Sequence, residues 1–184
     1  HTYPGASLPH AIVQHSPDTR SGNWDACAGY HYSDSSIMGF SHTHLSGTGV
    51  ADFGDILFLP VVLQNSTYQY APVSFSHKNE IAEPGYYSVK LDNGVFSELT
   101  VTPRVGIQRH TFSKGADNAM WVDVTHQLAE EEIIHATFEK VGDYTIQGRR
   151  KAIGWAENQD IYFVTRFSSK IKDIAWQIGN FDQE

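Results

Sequence analysis

The sequence predicts an all-β fold, a sandwich or a barrel with little helix. Short apolar runs recur about every 8 to 14 residues with turn-forming residues between them, which is the spacing of strands in all-β domains. Residues 84–102 read PGYYSVKLDNGVFSELTVT, and Asn93-Gly94 suits the tight turn of a hairpin because both residues tolerate positive φ. We therefore expect about ten or more strands.

The individual strands follow from local patterns. Tyr87, Val89 and Leu91 alternate with polar neighbours, which predicts a strand with one buried and one solvated face. The nearly apolar run DILFLPVV, residues 55–62, predicts a strand covered on both faces, and Pro60 restricts it to an end, an edge or a bulge. Further strands are predicted at 11–15, 105–112, 120–124, 144–148, 161–167 and 174–178.

Residues 126–140 fit two kinds of element. Residues 128–132 include good helix formers, whereas the β-branched run IIHATF favours a strand. The strand is the favoured interpretation, and a helix is the alternative.

Composition excludes some classes of function. The net charge is −8, and the only basic run, Arg149-Arg150-Lys151, is interpreted as a solvated turn, so nucleic acid is not an expected partner. The acidic run 130–132 is interpreted as a solvated face. The single cysteine, Cys27, allows no internal disulfide. No apolar stretch approaches the roughly 20 residues that a membrane-spanning helix needs.

Residues 39–50, GFSHTHLSGTGV, hold two histidines in a run rich in Gly, Ser and Thr. If the backbone is extended, His42, His44 and Ser46 project to the same side. Two such histidines supply half of a zinc site, and zinc needs three or four protein ligands. The other ligands could come from His31, Asp34, Asp52 or Asp55, and the sequence fixes none of them. The alternative is polar packing of both histidines beside the core.

Residues 23–35, NWDACAGYHYSDS, interleave aromatic residues with aspartates. An aromatic face beside carboxylates suits a sugar, whose C–H face stacks on the ring while its hydroxyls bind the charged groups. The alternative is core aromatics flanked by turn-forming Asp and Ser. Cys27 is expected to pack or to line a pocket, because no paired base or helix N-terminus activates it.

Four long strings together resemble the N-terminal domain of glycoside hydrolase family 92. They are HTYPGASLPHAIVQHSPDTR, GYHYSDSSIMGFSHTHLSGTGVADFGDILFLPV, FSHKNEIAEPGYYSVKLDNGVFSELTVTPRVGIQRHTF and IQGRRKAIGWAENQDIYFVTRFS. They cover almost the whole chain. GFSHTHLSGTG followed by DFGDILFLP is the most specific part.

This resemblance implies a large β-sandwich of the galactose mutarotase-like kind. The resemblance also implies that the whole protein is an exported bacterial exo-α-mannosidase that needs calcium and inverts the anomeric configuration. Members of the family look like such enzymes. They carry a second, larger (α/α) barrel domain, which supplies the general acid, the general base and the calcium ligands. Residues 1–184 are therefore expected to be the sandwich domain alone, without catalytic residues, without a metal site and inactive by itself. The whole enzyme is expected to be secreted, periplasmic or on the cell surface.

The expected partners are a mannose-containing glycan, with α-1,2 linkages favoured, and the C-terminal catalytic domain of the same polypeptide. The sandwich is expected to complete the sugar pocket where the two domains meet. The residues assigned to that pocket are Asp18, Trp24, Tyr30, Asp34, His42, His44, Ser46 and Asp52. Asp18 also fits a turn after Pro17. Two alternatives remain, a stand-alone carbohydrate-binding module and a metal-dependent enzyme built on His42 and His44.

Overall fold

The computed structural model describes residues 2–175, apart from residues 48 and 66. Within this part the chain forms twelve strands and a single 3-10 turn, Trp24–Ala26, so the prediction of an all-β sandwich with little helix is confirmed. The strands are β1 Ser16–Asp18, β2 Ser36–Ile37, β3 Gly39–Ser41, β4 Leu57–Val62, β5 Val73–Glu83, β6 Tyr86–Leu91, β7 Phe96–Val101, β8 Gly106–Thr111, β9 Asn118–Asp123, β10 Glu132–Lys140, β11 Thr145–Ile153 and β12 Gln159–Arg166.

The strands form three antiparallel sheets. The five-stranded sheet has the order β2-β5-β6-β7-β8, the four-stranded sheet β1-β3-β4-β9, and the three-stranded sheet β10-β11-β12. One apolar core joins the inner side of the five-stranded sheet to Phe40 of β3. A second core joins β4 and β9 to the three-stranded sheet. The four-stranded sheet thus contributes to both cores.

Strand β4 agrees with its sequence prediction. Five of its six residues are buried, and the sixth, Val62, is partly buried. Pro60 pairs with Met120 of β9, whereas β3 pairs with β4 only at Phe40 and Phe58. Pro60 therefore lies beyond the β3 pairing, where the missing N–H costs no ladder bond on that side.

The predicted hairpin is also confirmed, with a different turn from the one expected. Strands β6 and β7 are joined through Asn93-Gly94, and Gly94 has φ of +90°, while Asn93 is not among the residues with positive φ. The Asn93 side chain has two contacts, accepting from the Val95 amide at 3.1 Å and donating to the Pro60 carbonyl at 3.1 Å. Asn93 thus fixes the turn and ties it to β4.

Other predictions differ from the structure. Residues 11–15 are not a strand, and only His15 forms an isolated bridge, with Ala6. The helix alternative for 126–140 is wrong, because residues 132–140 form β10, paired along its length with β11. The strand predicted at 174–178 is absent at its first two residues, and the rest lies outside the described residues.

Strands β1, β2, β3 and β5 were not predicted. The first three have only two or three residues each, too few for a pattern. Strand β5 is long but largely exposed, and its pairing with β6 is interrupted between Phe75 and Glu80, which breaks the alternation. No helix in the described part of the chain is long and apolar enough to cross a membrane.

Candidate functional site

A buried polar network surrounds Asp18 at the end of β1. Nε2 of His44 lies 2.7 Å from Oδ1 of Asp18, and Nε2 of His126 lies 2.9 Å from Oδ2. The Asp18 and His44 side chains have no exposed surface. A Cβ atom at Gly29 would lie 2.2 Å from Oδ1 of Asp18, so the backbone at position 29 closes over the carboxyl.

The hydrogen bonds of this network hold the His44 ring in place. His44 faces acceptors at both ring nitrogens, since Nδ1 lies 2.7 Å from the Gln14 carbonyl and Nε2 contacts Asp18. The carboxylate and the carbonyl can only accept, whereas the Ser41 hydroxyl, 3.0 Å from Nε2, can donate or accept. Burial by itself raises the pKa of Asp18, but the charge of His44 and the hydrogen bonds from His126 and His44 outweigh it and hold that pKa well below its usual value. A buried hydrogen bond to Asp18 therefore anchors His44 to β1.

His42 has different partners from His44. Its ring stacks on His15 with centroids 4.4 Å apart, and its Nδ1 lies 2.8 Å from the Ile56 carbonyl. Burial lowers the pKa of His42 to about 4, although the hydrogen bond to Ile56 favours protonation. Across residues 2–47, 49–65 and 67–175, no three His, Cys, Asp or Glu side chains are grouped so as to hold a metal ion.

A second buried cluster surrounds Arg150 of β11. Its Nη1 donates to Asp55 and, at 2.9 Å, to Gln159, while its Nη2 donates to Glu131 at 2.6 Å. Asp55 also accepts from Thr43 at 2.5 Å. The side chains of Arg150, Asp55 and Glu131 have no exposed surface, so neither carboxyl reaches a substrate on this chain.

Two sequence interpretations are corrected by this cluster. The basic run at 149–151 is not a solvated turn but part of β11, and Arg150 is buried among acceptors. The acidic run at 130–132 is not wholly a solvated face, because Glu131 is buried against Arg150. Burial, aided by the charges of Asp52 and Asp55, raises the pKa of Glu131 to about 7 against the opposing effect of Arg150.

Asp52 is buried beside this cluster and holds the turn between β11 and β12. Its Oδ2 accepts from the Ala156 amide at 3.0 Å, and a Cβ atom at Gly154 would lie 2.6 Å from its Oδ1. This turn presents Trp155, whose side chain is 67% exposed. Asp52 thus fixes the backbone of the turn that carries Trp155, although its own side chain is buried.

The remaining assigned residues lie nearer the surface, with one exception. Trp24 is 66% exposed and lies beside residues 39–50, called the glycine-rich segment below, since a Cβ atom at Gly49 would be 3.8 Å from the Trp24 ring. Ser46 is exposed in the same segment, and Asp34 is partly exposed. Tyr30 is the exception, because it is buried and donates from its hydroxyl to Glu80 at 2.9 Å. Asp18 is in β1 and not in a turn.

A cleft of about 450 Å³ lies between the glycine-rich segment and the start of β12. The polar residues around it are Gln14, Thr43, His44, Asp55, Gln159 and Asp160, of which His44 and Asp55 have enclosed side chains. The cleft therefore touches both buried clusters, and residues 43–45 link it to the Asp18 network.

Several residues of these clusters were missed from the sequence. His126, Glu131 and Arg150 are far from the assigned motifs in sequence, and two of them lie in charge runs that usually face solvent. Cys27, as expected, is buried, and its thiol donates to the Gly47 carbonyl at 3.0 Å.

The chain matches the family model "Glycosyl hydrolase family 92 N-terminal domain" over residues 1–183. Among curated proteins it is similar to an uncharacterized secreted glycosidase of Arthroderma benhamiae, with 30% identity over 139 residues. That alignment covers 68% of this chain and 18% of the fungal protein.

Among solved structures, the chain is similar to the family GH92 α-mannosidase BT3965 of Bacteroides thetaiotaomicron, whose structure was determined in complex with mannoimidazole. The TM-score is 0.86 with 37% identity, over 93% of this chain and 24% of that one. It is also similar in fold to the inverting mannosidase BT2199 of the same organism, with a TM-score of 0.68, 24% identity, and coverage of 89% of this chain and 21% of that one. The chain thus spans about a quarter or less of the length of these relatives.

Proposed function

Because this chain belongs to glycosyl hydrolase family 92, as its N-terminal domain, we propose that it forms the sandwich side of the sugar pocket in an exo-acting α-mannosidase. The observation that carries the proposal is the similarity, over nearly the whole chain, to a solved family 92 α-mannosidase in complex with mannoimidazole. The substrate is a mannose-containing glycan, and α-1,2 linkages are the proposed preference.

The chemistry is proposed to come from the rest of the polypeptide. Hydrolysis with inversion needs two carboxyls about 6.5–9.5 Å apart with a water between one of them and the sugar. The buried carboxyls of Asp18, Asp55 and Glu131 are bonded to histidines or to Arg150, and that of Asp52 is bonded to the Ala156 amide. The acid and the base are therefore proposed to lie in a C-terminal catalytic domain. Calcium, which prefers carboxylate and carbonyl oxygens, is proposed to bind there too. The fungal relative is named as a secreted glycosidase, which supports export of this enzyme. A bacterial periplasmic or cell-surface location is part of the proposal.

Within this chain, Trp24 is the residue proposed to touch sugar. Its exposed ring can stack on the C–H face of a pyranose, and exposed Ser46 and partly exposed Asp34 can bind hydroxyls. Asp18, His44 and Asp52 are enclosed, so they are proposed as positioning residues for the glycine-rich segment and the Trp155 turn. His42, held by Ile56 and His15, and Tyr30, held by Glu80, are not proposed to touch sugar.

The test replaces Trp24 by Ala in the full-length protein and measures the hydrolysis of an aryl α-mannoside. Loss of a stacked aromatic face should weaken transition-state or substrate binding by about 1–3 kcal/mol. Tyr162→Ala is the matched control, because the aromatic ring of Tyr162 is similarly exposed, on the three-stranded sheet, and is not assigned to the pocket. Unchanged kinetics in Trp24→Ala would contradict the assigned role, and a wild-type protein that does not cleave α-mannosides would contradict the proposed function.

One further comparison separates the remaining alternatives. If the domain is a stand-alone binding module, the 184-residue chain should bind mannosides with the same affinity as the full-length protein. A metal-dependent enzyme would lose activity in a His42→Ala, His44→Ala variant together with a bound metal ion, measured by elemental analysis. The proposal expects activity only in the full-length protein.

A further inference from the structure

Tyr32 is displayed on a braced surface turn. Its side chain is 71% exposed, and the Asp34 amide donates to the His31 carbonyl at 3.0 Å, which closes a β-turn with Tyr32 at one corner. Both ends of the turn are tied to Thr19, whose hydroxyl accepts from the His31 amide at 2.9 Å and donates to the Asp34 carboxyl at 2.7 Å. The position of Tyr32 is therefore set before any ligand binds.

One face of the Tyr32 ring is covered by His77. The two rings stack with centroids 4.2 Å apart and planes 22° apart. Nδ1 of His77 lies 2.8 Å from Oε2 of Glu80, whose side chain is only 9% exposed. Glu80 also accepts from the hydroxyls of Tyr30, at 2.9 Å, and Tyr87, at 2.7 Å. A chain of hydrogen bonds thus runs from the core to the underside of Tyr32.

Strand β5 departs from regular pairing at this place. It advances five residues, from Phe75 to Glu80, while β6 advances only two, from Leu91 to Val89. Such a bulge gives up ladder hydrogen bonds, and bulges commonly redirect a side chain. Here the bulge contains His77 and ends at Glu80. The pairing of β5 with β6 is therefore interrupted at the residues, His77 and Glu80, that support the Tyr32 ring.

Charged groups lie beside the ring. Arg20 donates to the Asp34 carboxyl through Nε at 2.7 Å and through Nη2, and Nη2 also lies 3.3 Å from the Ser33 hydroxyl. Both side chains are partly exposed, at 27% for Arg20 and 16% for Asp34. The hydrogen bond to Asp34, together with the charges of Asp34 and Asp25, raises the pKa of Arg20, so the guanidinium stays charged. A paired guanidinium and carboxylate can donate to and accept from neighbouring hydroxyls.

We propose that Tyr32, together with Arg20 and Asp34, is a preformed sugar-binding platform that takes one pyranose unit of a mannose-containing oligosaccharide. The exposed face of the ring would pack on the C–H face of the sugar, and the ion pair would bind adjacent hydroxyls. The choice of mannose as the sugar rests on the proposed function. A phosphate-bearing ligand fits less well, because the chain carries a net charge of −8 and the cation at this site is already paired.

The test uses the full-length protein and measures binding of a thio-linked α-mannotriose, which resists hydrolysis, by titration calorimetry. Tyr32→Ala should weaken binding about tenfold, and Tyr32→Phe should stay within about twofold, because the ring is retained. Tyr162→Ala is the matched control, since Tyr162 is 70% exposed on the three-stranded sheet, and it should bind like the wild type. Circular dichroism and thermal unfolding check that each variant is folded.

Each outcome supports or overturns the platform. Wild-type affinity in Tyr32→Ala, an equal loss in Tyr162→Ala, or a tenfold loss in Tyr32→Phe would each overturn stacking at Tyr32. Hydrolysis of an aryl α-mannoside by the wild type is measured in parallel. Hydrolysis without Tyr32-dependent binding overturns the platform and keeps the mannosidase proposal. Tyr32-dependent binding without hydrolysis keeps the platform and overturns the mannosidase proposal.

Discussion

The buried carboxyl of Glu131 offers a test with a defined sign. Its Oε2 accepts from Nη2 of Arg150 at 2.6 Å, while its Oε1 is buried and has no hydrogen-bond partner among the described residues. Arg150 also donates a hydrogen bond to Asp55, and the charge of Asp52 acts on Glu131 as well. One cation is thus shared among several carboxyls. Burial outweighs Arg150 and raises the pKa of Glu131 to about 7.

The magnitude follows from linkage. Between pH 4.5, the ordinary pKa of Glu, and about 7, folded Glu131 keeps a proton that the unfolded chain has released. The contribution of Glu131 to the free energy of unfolding therefore falls across this window by about 3 kcal/mol and stays lost at higher pH. A Glu131→Gln variant does not titrate at this position. The stability of the variant minus that of the wild type should rise by about 3 kcal/mol from pH 4 to pH 8.

The assay is urea unfolding followed by tryptophan fluorescence at several pH values. With a denaturant slope of about 2 kcal/mol/M, the relative midpoint should shift by roughly 1.5 M. Glu130→Gln is the matched control, because Glu130 is exposed and should give a flat difference. A difference that is flat for Glu131→Gln, or that falls with rising pH, would refute the reasoning and show that Arg150 keeps Glu131 ionised.

Two further predictions concern stability, both measured by urea unfolding at pH 7. Arg150→Met should lower the free energy of unfolding by about 3–5 kcal/mol, because Asp55 and Glu131 lose their buried counter-charge; a loss below about 1 kcal/mol would contradict this. Gly54→Ala should cost roughly 2–4 kcal/mol, because φ is +84° and a Cβ atom would lie 2.7 Å from Cγ of Leu128. Gly22→Ala, with φ of +66° and nothing within 4 Å, should cost only about 1 kcal/mol, and equal losses at the two glycines would show that packing against Leu128 is unimportant.

Much of the fold was predictable because its signals are local. Strand β4 and the hairpin of β6 and β7 follow from apolar runs, alternation and one Asn-Gly pair within a few residues of each other. Strand β5 was not predictable in the same way. Its bulge displaces the alternating pattern, and its polar residues are tolerated because most of them stay exposed.

The sequence by itself determined the family, the all-β class and the region of the sugar-binding candidates. Motif strings and hydrophobic periodicity are local properties of the sequence, so they can be recognised without a structure. Only the tertiary structure decided which candidates face solvent. Asp18 and Trp24 were assigned together, yet one is enclosed by histidines and the other is exposed. Asp18 meets His126 across 108 residues of sequence, and Asp55 meets Arg150 across 95. A charged side chain is stable in the interior only where a partner neutralises it, and long-range packing of the sheets supplies that partner.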